Sequence, residues 1–466
     1  MSSYVYELPT TGSVVFSEIL VDETGKYTHA IANATLARSN LRAALKESKR
    51  TDEGEKDHLK IIKVVDEYLP HLYAIIECVA TGDLQLRQEA VGFSWRSTFS
   101  ANLLNTSPRQ TVTGLYADLA FTLITYASAL SNLAATSVTS LGAYETERAI
   151  TDADRKTKDD KLNFAVQLLL KASGIFSHVA ENVISQWERT LIEIQASAGG
   201  STSKPVDLSR ELVSSLSRFA LAEAQTLAIR KLLSKSAYDS TLNPGPPLPR
   251  SHPPPGLVAK LSLNALDCYS SASSLAKSAR GSGTASGEVT KDLTRWLADE
   301  AALTAALSHK WLGVDAGEKS STTGKAGEAV GFLSWAKDEL EGLKDGGHGI
   351  AGLGRKKKRK ERVADEISRV AAFLNHYKKL NNTVHFETVP TVATLQSMIP
   401  TGTAAVTPKP FMPPPLAFRA AKASTMAELS QGIADSTLDN EESPAPQSAA
   451  AVSSSPVATP APRQYF

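Results

Sequence analysis

The chain has 466 residues, 42% hydrophobic and 6% aromatic, enough to bury a sizeable core as one large domain or two smaller ones. Its 50 basic residues offset 49 acidic ones to a formal charge of +1, so no whole-protein field draws it to nucleic acid or to acidic membranes. The two cysteines, Cys78 and Cys268, exclude a disulfide framework and a thiolate cluster and suit a reducing compartment.

The N-terminus lacks a signal-peptide pattern, and no apolar run approaches the ~20 residues that span a bilayer, so a cytosolic protein is expected. After an extended opening, Tyr4 to Thr24, the pattern is helical. From Leu59 to Ala80, Ile62, Val65, Leu69, Leu72, Ile75, Ile76 and Val79 recur at three- and four-residue spacing, a stripe that needs a partner helix. The same period marks residues 111–148, 160–196, 206–240, 257–279, 288–312, 325–344 and 361–382. These helices are rich in Ala, Ser and Leu, which lets backbones approach closely. Without a fixed-period repeat, the economical architecture is an irregular helical solenoid.

Three stretches read as unstructured: Ala198 to Lys204, the proline run Pro244 to Pro255, and everything after about Pro408. The expected division is a domain over 1–405, with an insertion at 244–255 and a basic hinge at 345–360, followed by a Pro/Ala/Ser tail over 406–466.

Catalytic motifs are not found. The nine histidines are scattered without an i, i+4 pair for zinc. Gly346 to Gly354 leads into a lysine run and not a phosphate cradle, and no Gly-x-Ser-x-Gly elbow occurs. A cysteine phosphatase needs arginine six residues past its thiolate, where Leu84 and Ser274 stand. No metal or cofactor is implied, and Trp95, Trp187, Trp311 and Trp335 read as packing residues in helices.

The dense charge feature is the run Arg355, Lys356, Lys357, Lys358, Arg359, Lys360. It fits an anionic lipid contact, a nuclear import signal or a solvated hinge before a helix starting near Glu361. The absence of interleaved aromatics argues against single-stranded nucleic acid. Pro244 and Pro247 fit a polyproline II ligand or an ordinary loop.

The segment LLLKASGIFSHVAENV, Leu168 to Val183, resembles the signature helix of the Bro-type domain, shared by ESCRT adaptors and fungal pH-signalling proteins. Ala172, Ser173 and Gly174 form a small-residue face allowing close helix approach. Similar segments follow in family order: GFSWRSTF around Trp95, LYADLAFTLITYASALSNLA from Leu115, LAEAQTLAIRKLL from Leu221, GLVAKLSLNALDCY from Gly256 and KKLNNTVHFETVPTVATL from Lys378. The resemblance covers roughly residues 5–400.

The resemblance implies a mostly α, boomerang-shaped domain built around an irregular tetratricopeptide-like solenoid, with a small N-terminal extended portion. It implies a non-catalytic adaptor whose apolar patch accepts the C-terminal amphipathic helix of the ESCRT-III filament subunit of the Snf-seven or Vps-thirty-two type. Carried over, the patch includes Leu257 and Leu261, with Lys231 at its edge and Asp159 as a rim residue. Ala228 stands where relatives place an aromatic, and the proline insertion replaces a short turn beside the patch. The short build, the YELPTTGSVVFSE opening and the tail place the chain nearest the fungal ambient-pH branch. There it would join other pH-signalling components at cortical or endosomal membrane, through its partners, on the platform where another chain proteolytically activates a transcription factor. A general multivesicular-body sorting adaptor is the alternative within the fold, and an unrecognised enzyme is the one outside it.

Overall fold

The computed structural model describes residues 3–88, 90–101, 107–198, 204–242, 245–281, 287–345 and 353–420. Its helices are α1 (Phe16–Ile19), α2 (Thr28–Arg50), α3 (His58–Ala80), α4 (Leu115–Leu141), α5 (Asp152–His178), α6 (Ile184–Ala198), α7 (Arg210–Leu242), α8 (Pro255–Ser278), α9 (Lys291–Glu318), α10 (Ser320–Thr323), α11 (Ala326–Asp345), α12 (Leu353–Leu380) and α13 (Val392–Ser397). The strands are β1 (Leu20–Val21), β2 (Gln85–Leu86), β3 (Gly92–Arg96), β4 (Ser100–Ala101), β5 (Arg109–Thr113) and β6 (Glu288–Val289), joined antiparallel as β1–β2, β3–β5 and β4–β6.

The long helices stack in series: α2 on α3, then α4, α5, α7, α8, α9, α11 and α12, each packing on the next. This is the mostly α, solenoid-like fold that the periodicity predicts. The stripe of α3 is buried from Ile61 to Ile76, and Asp57 caps its start by accepting the Lys60 N–H at 2.9 Å. Helix α4 is apolar enough to cross a membrane, yet 89% of its most apolar window lies inside the protein, where it is the central core helix. Gly114, at φ 98°, makes the sharp corner between β5 and α4. A single π turn, Val179–Val183, separates α5 from α6 where one helix over 160–196 is predicted.

The structure corrects four expectations. Trp95 lies in strand β3, opposite Gln110, and not in a helix; its ring is fully buried and stacks on Phe121 at 5.3 Å. The basic run falls within the first turns of α12 and not in a hinge ahead of it, because the helix begins at Leu353. The proline loop is pinned at its described residues: His252 lies 4.9 Å from the Trp311 ring, Ser251 donates to Asp239, and Leu248 packs against the core of α9, α11 and α12. Residues 406–420, assigned to a tail by composition, pack along the domain as described below. Residues 199–203, 346–352 and 421–466, which carry parts of the linker, hinge and tail expectations, lie outside the described residues.

A buried polar knot joins the N-terminal elements. The Asp118 carboxylate on α4 accepts from Arg38 of α2 through Nε (3.1 Å) and Nη2 (2.7 Å), from Tyr68 Oη of α3 (2.8 Å) and from Trp95 Nε1 of β3 (2.7 Å). Arg38 also donates to the Gly12 carbonyl (3.0 Å) and Thr11 Oγ1 (2.8 Å), which fixes the extended opening. Neither charged side chain is more than 1% exposed. Such a pair survives burial because the charges are paired with each other and hydrogen-bonded by their neighbours. Asp118→Ala leaves the Arg38 charge buried without its counterion, so chemical denaturation is expected to show a loss of about 3–5 kcal/mol.

Candidate partner-binding groove

Helices α7 and α8 converge on a small cluster in which Ala228, Leu261 and Ala405 are buried and Ile229, Leu232, Leu257 and Val406 are half-buried. Leu257 occupies the first turn of α8, where Gly256 N–H donates to Asp315 Oδ1 at 2.8 Å and sets the entry of the helix. Although Leu257 and Leu261 share a face of α8, only Leu257 reaches the surface. Leu261 is 1% exposed and forms the floor under Ala405. Ala228, also 1% exposed, is part of that floor. An aromatic there would occupy the space that the C-terminal segment takes.

The polar residues divide. Lys231 is half-buried on α7 beside Leu232. Asp159 on α5 is a structural tie: it accepts from Tyr144 Oη at 2.5 Å and Ser234 Oγ at 3.1 Å, which anchors α5 to α7. In the basic run Arg359 pairs with Asp299, Lys360 is exposed, and the side chains of Arg355, Lys356, Lys357 and Lys358 lie outside the described residues.

What sequence reasoning missed is the strap, residues 401–420. It crosses α8, α7, α5 and α3 in extended form. Thr403 N–H donates to the Lys260 carbonyl (3.0 Å), Lys409 N–H to that of Leu170 (3.2 Å) and Ala417 N–H to that of Pro70 (3.1 Å). Buried Gln225 is its central clamp: Oε1 accepts the Ala405 and Val406 N–H groups at 2.8 and 3.2 Å, while Nε2 donates to the Val406 carbonyl at 2.8 Å. Phe411 packs against His178, and Phe418 against Tyr27.

The strap also reassigns the small residues of the signature helix. Ser173 faces α7, donating to the Ser217 carbonyl at 3.0 Å, but Gly174 faces the strap, where an added Cβ would stand 1.7 Å from the Lys409 carbonyl oxygen. The signal was the unexplained Pro/aromatic stretch KPFMPPPLAF, which composition alone assigns to a tail.

A cavity of about 20 Å³ lies between Glu223, Tyr269, Glu300 and Arg362 on its polar side and Val138 and Leu169 on its apolar side. Burial pushes the Glu223 carboxyl up to about 8, against the Tyr4 N–H, which favours the anion, and with Glu300 raising it further. The volume holds about one water and is far below what a substrate needs.

The sequence matches the BRO1-like domain family over residues 16–431. The chain belongs to the BRO1-like domain family. Among its relatives is the pH-response regulator protein palC of Cryptococcus neoformans var. neoformans serotype D, 35% identical over 90% of this chain and 93% of that one. The palC protein of Emericella nidulans is 26% identical over 94% and 95%. Among solved structures, this BRO1-like chain superposes on an ALIX BRO1–CHMP4C complex with a TM-score of 0.58 at 18% identity, covering 90% of this chain and 98% of that one. It superposes on ALIX bound to the SIVmac239 PYKEVTEDL late domain with a TM-score of 0.60 at 16% identity, covering 93% of this chain and 54% of that one. The match extends past residue 405, in keeping with a strap that is part of the domain.

Two substitutions test this geometry. Gly174→Ala is expected to expel the strap at Lys409, costing about 1–3 kcal/mol and speeding amide exchange across 401–420. Gly342→Ala on α11, with nothing within 4 Å of the new Cβ, is expected to be neutral or stabilising. For Glu223, the unfolded carboxyl ionises from about pH 4.3 whereas the folded one stays protonated to about 8, so stability falls as pH rises through that window. Glu223→Gln should therefore raise Tm over wild type more at pH 8 than at pH 5.

Proposed function

We propose that this BRO1-like chain is a non-catalytic adaptor of fungal ambient-pH signalling that binds an ESCRT-III filament subunit of the Snf-seven or Vps-thirty-two type. The observation that carries the reading is the half-buried apolar patch of Ile229, Leu232 and Leu257 above the Leu261–Ala228 floor. Such a patch suits one face of an amphipathic helix, with i, i+3 and i+4 side chains as anchors. The palC relatives support the signalling role, and the BRO1–CHMP4C complex supports the class of partner.

In this role the protein contributes binding energy and place. Apolar burial in the patch supplies affinity, and charge at its edge, Lys231 above all, sets register and on-rate. Asp159 enters through α5–α7 geometry and not as a free rim charge. The protein works in the cytoplasm and reaches plasma or endosomal membrane with its partners. A structural neighbour described in terms of endosomal targeting by the Bro1 domain, with a TM-score of 0.55 at 16% identity over 93% of this chain and 97% of that one, supports a second reading as a general endosomal sorting adaptor. Selective loss of alkaline growth on gene deletion favours the first reading, and a multivesicular-body sorting defect favours the second.

Leu257→Asp places a charge at the half-buried edge of the patch and leaves the buried Leu261 and Ala228 unchanged. Titration calorimetry against a peptide of the partner's C-terminal helix should give micromolar binding for the wild type and at least a tenfold loss (about 1.4 kcal/mol) for the folded variant. Unchanged binding by Leu257→Asp would move the site elsewhere on the domain.

A further inference from the structure

The far end of the helical array carries a surface that the groove does not use. After α12 the chain makes a π turn, Asn381–His385, and runs back along α11. Its inner side is fixed: Glu387 Oε2 accepts the Gly327 N–H at 2.8 Å, the Thr388 and Pro390 carbonyls lie over Gly327 and Gly331, and Leu395 is buried. The outer side is open and carries four large apolar side chains among the exposed Asn382, Thr383, Thr388 and Thr391. Val384 is 61% exposed, Phe386 75%, Val389 44% and Val392 46%.

Phe386 is held there against its own backbone preference. It is the non-glycine residue of the described chain with positive φ, at φ 54° and ψ 31°. Asn381 locks the turn, its Nδ2 donating to the Glu387 carbonyl at 2.9 Å, its Oδ1 accepting the Glu387 N–H at 3.0 Å and its own carbonyl accepting the Phe386 N–H at 2.7 Å. A strained aromatic pointing into water marks a contact surface more than a packing solution.

Charge and extent select the occupant. Lys378 and Lys379, exposed on the last turn of α12, have no ion pair among the described residues, while the nearby acids Glu387 and Glu328 are taken by Gly327 and Lys325. Four side chains fall well short of the roughly 800 Å² that each partner of a stable protein complex buries, but an aromatic wedge with basic flanks suits a lipid interface. The strap leaves the described structure beside Tyr27, just before α2, at the opposite end of the stack, so the chain that follows starts far from this tip.

We propose that this tip is a membrane-contact loop, in which Phe386 and the flanking valines enter the interfacial layer of an anionic bilayer while Lys378 and Lys379 meet lipid phosphates. The basic run lies elsewhere: Arg359, already paired with Asp299, stands 27 residues before Phe386, at the other end of α12.

The test is co-sedimentation of the full chain with phosphatidylcholine vesicles, with and without phosphatidylserine. Wild type is expected to pellet only with the anionic vesicles, and less so as salt rises. Phe386→Asn should lower the bound fraction about tenfold while keeping or raising Tm, since asparagine accepts the left-handed conformation. Lys378→Glu with Lys379→Glu should remove the dependence on phosphatidylserine, and Lys356→Glu with Lys358→Glu should leave binding intact. Two results overturn the proposal. One is wild type that binds neither vesicle, which would make the tip a protein contact. The other is binding lost in the Lys356/Lys358 variant but kept in Phe386→Asn.

Discussion

The carboxylate of Asp118 is the constraint on which the N-terminal half depends. It gathers donors from α2, α3 and β3 at one point on the central helix α4, and Arg38 then passes the order on to the extended opening through Gly12 and Thr11. An apolar cluster of the same volume would hold these elements together but would not set their register, because dispersion is indifferent to small slides and a bidentate guanidinium–carboxylate pair is not. Asp207 plays a similar part further along, accepting from Ser97, Ser100 and the N–H groups of Thr98 and Phe99, so that the β3–β4 corner is held against the 3-10 turn before α7. Burial pushes that carboxyl up, and its four donors pull it back.

The strap links this frame to the candidate groove. A linear stack of helices has few long-range ties, because each layer sees only its neighbours. Residues 401–420 supply one: a single extended segment bonded to α8, α7, α5 and α3 makes distant layers share a fate. Its path explains two glycines. Gly174 beneath it and Gly402 within it are places where two backbones meet, and any Cβ would collide with Lys409 or Asn264 respectively. The same segment brings Ala405 into one buried cluster with Leu261, while Leu257 stands half-buried at its edge.

The proposed groove and the proposed membrane tip lie on different layers, one at α7–α8 and the other beyond α11–α12. A solenoid keeps such surfaces at fixed separation because its elements are stiff over their length. If both proposals hold, a protein built this way would hold a filament subunit and a bilayer at once without a moving part. That division of labour suits the proposed adaptor.

The amino-acid sequence by itself determined the helices, their approximate ends and the family. Three-and-four spacing as in Ile62, Val65, Leu69 and Leu72 is a local signal, and so is the small-residue run at Ala172–Gly174. It also placed Leu257 and Leu261 on one helical face. Only the tertiary structure decided that these two differ in exposure, that Asp159 is already bonded to Tyr144 and Ser234, and that Gly174 serves a strap and not a neighbouring helix. The physical reason is the same in each case. Exposure and hydrogen-bond partnership depend on residues distant in the chain, such as Ala405 packed with Leu261, and a proline-rich segment without hydrophobic period carries no local mark of the surface it will cover.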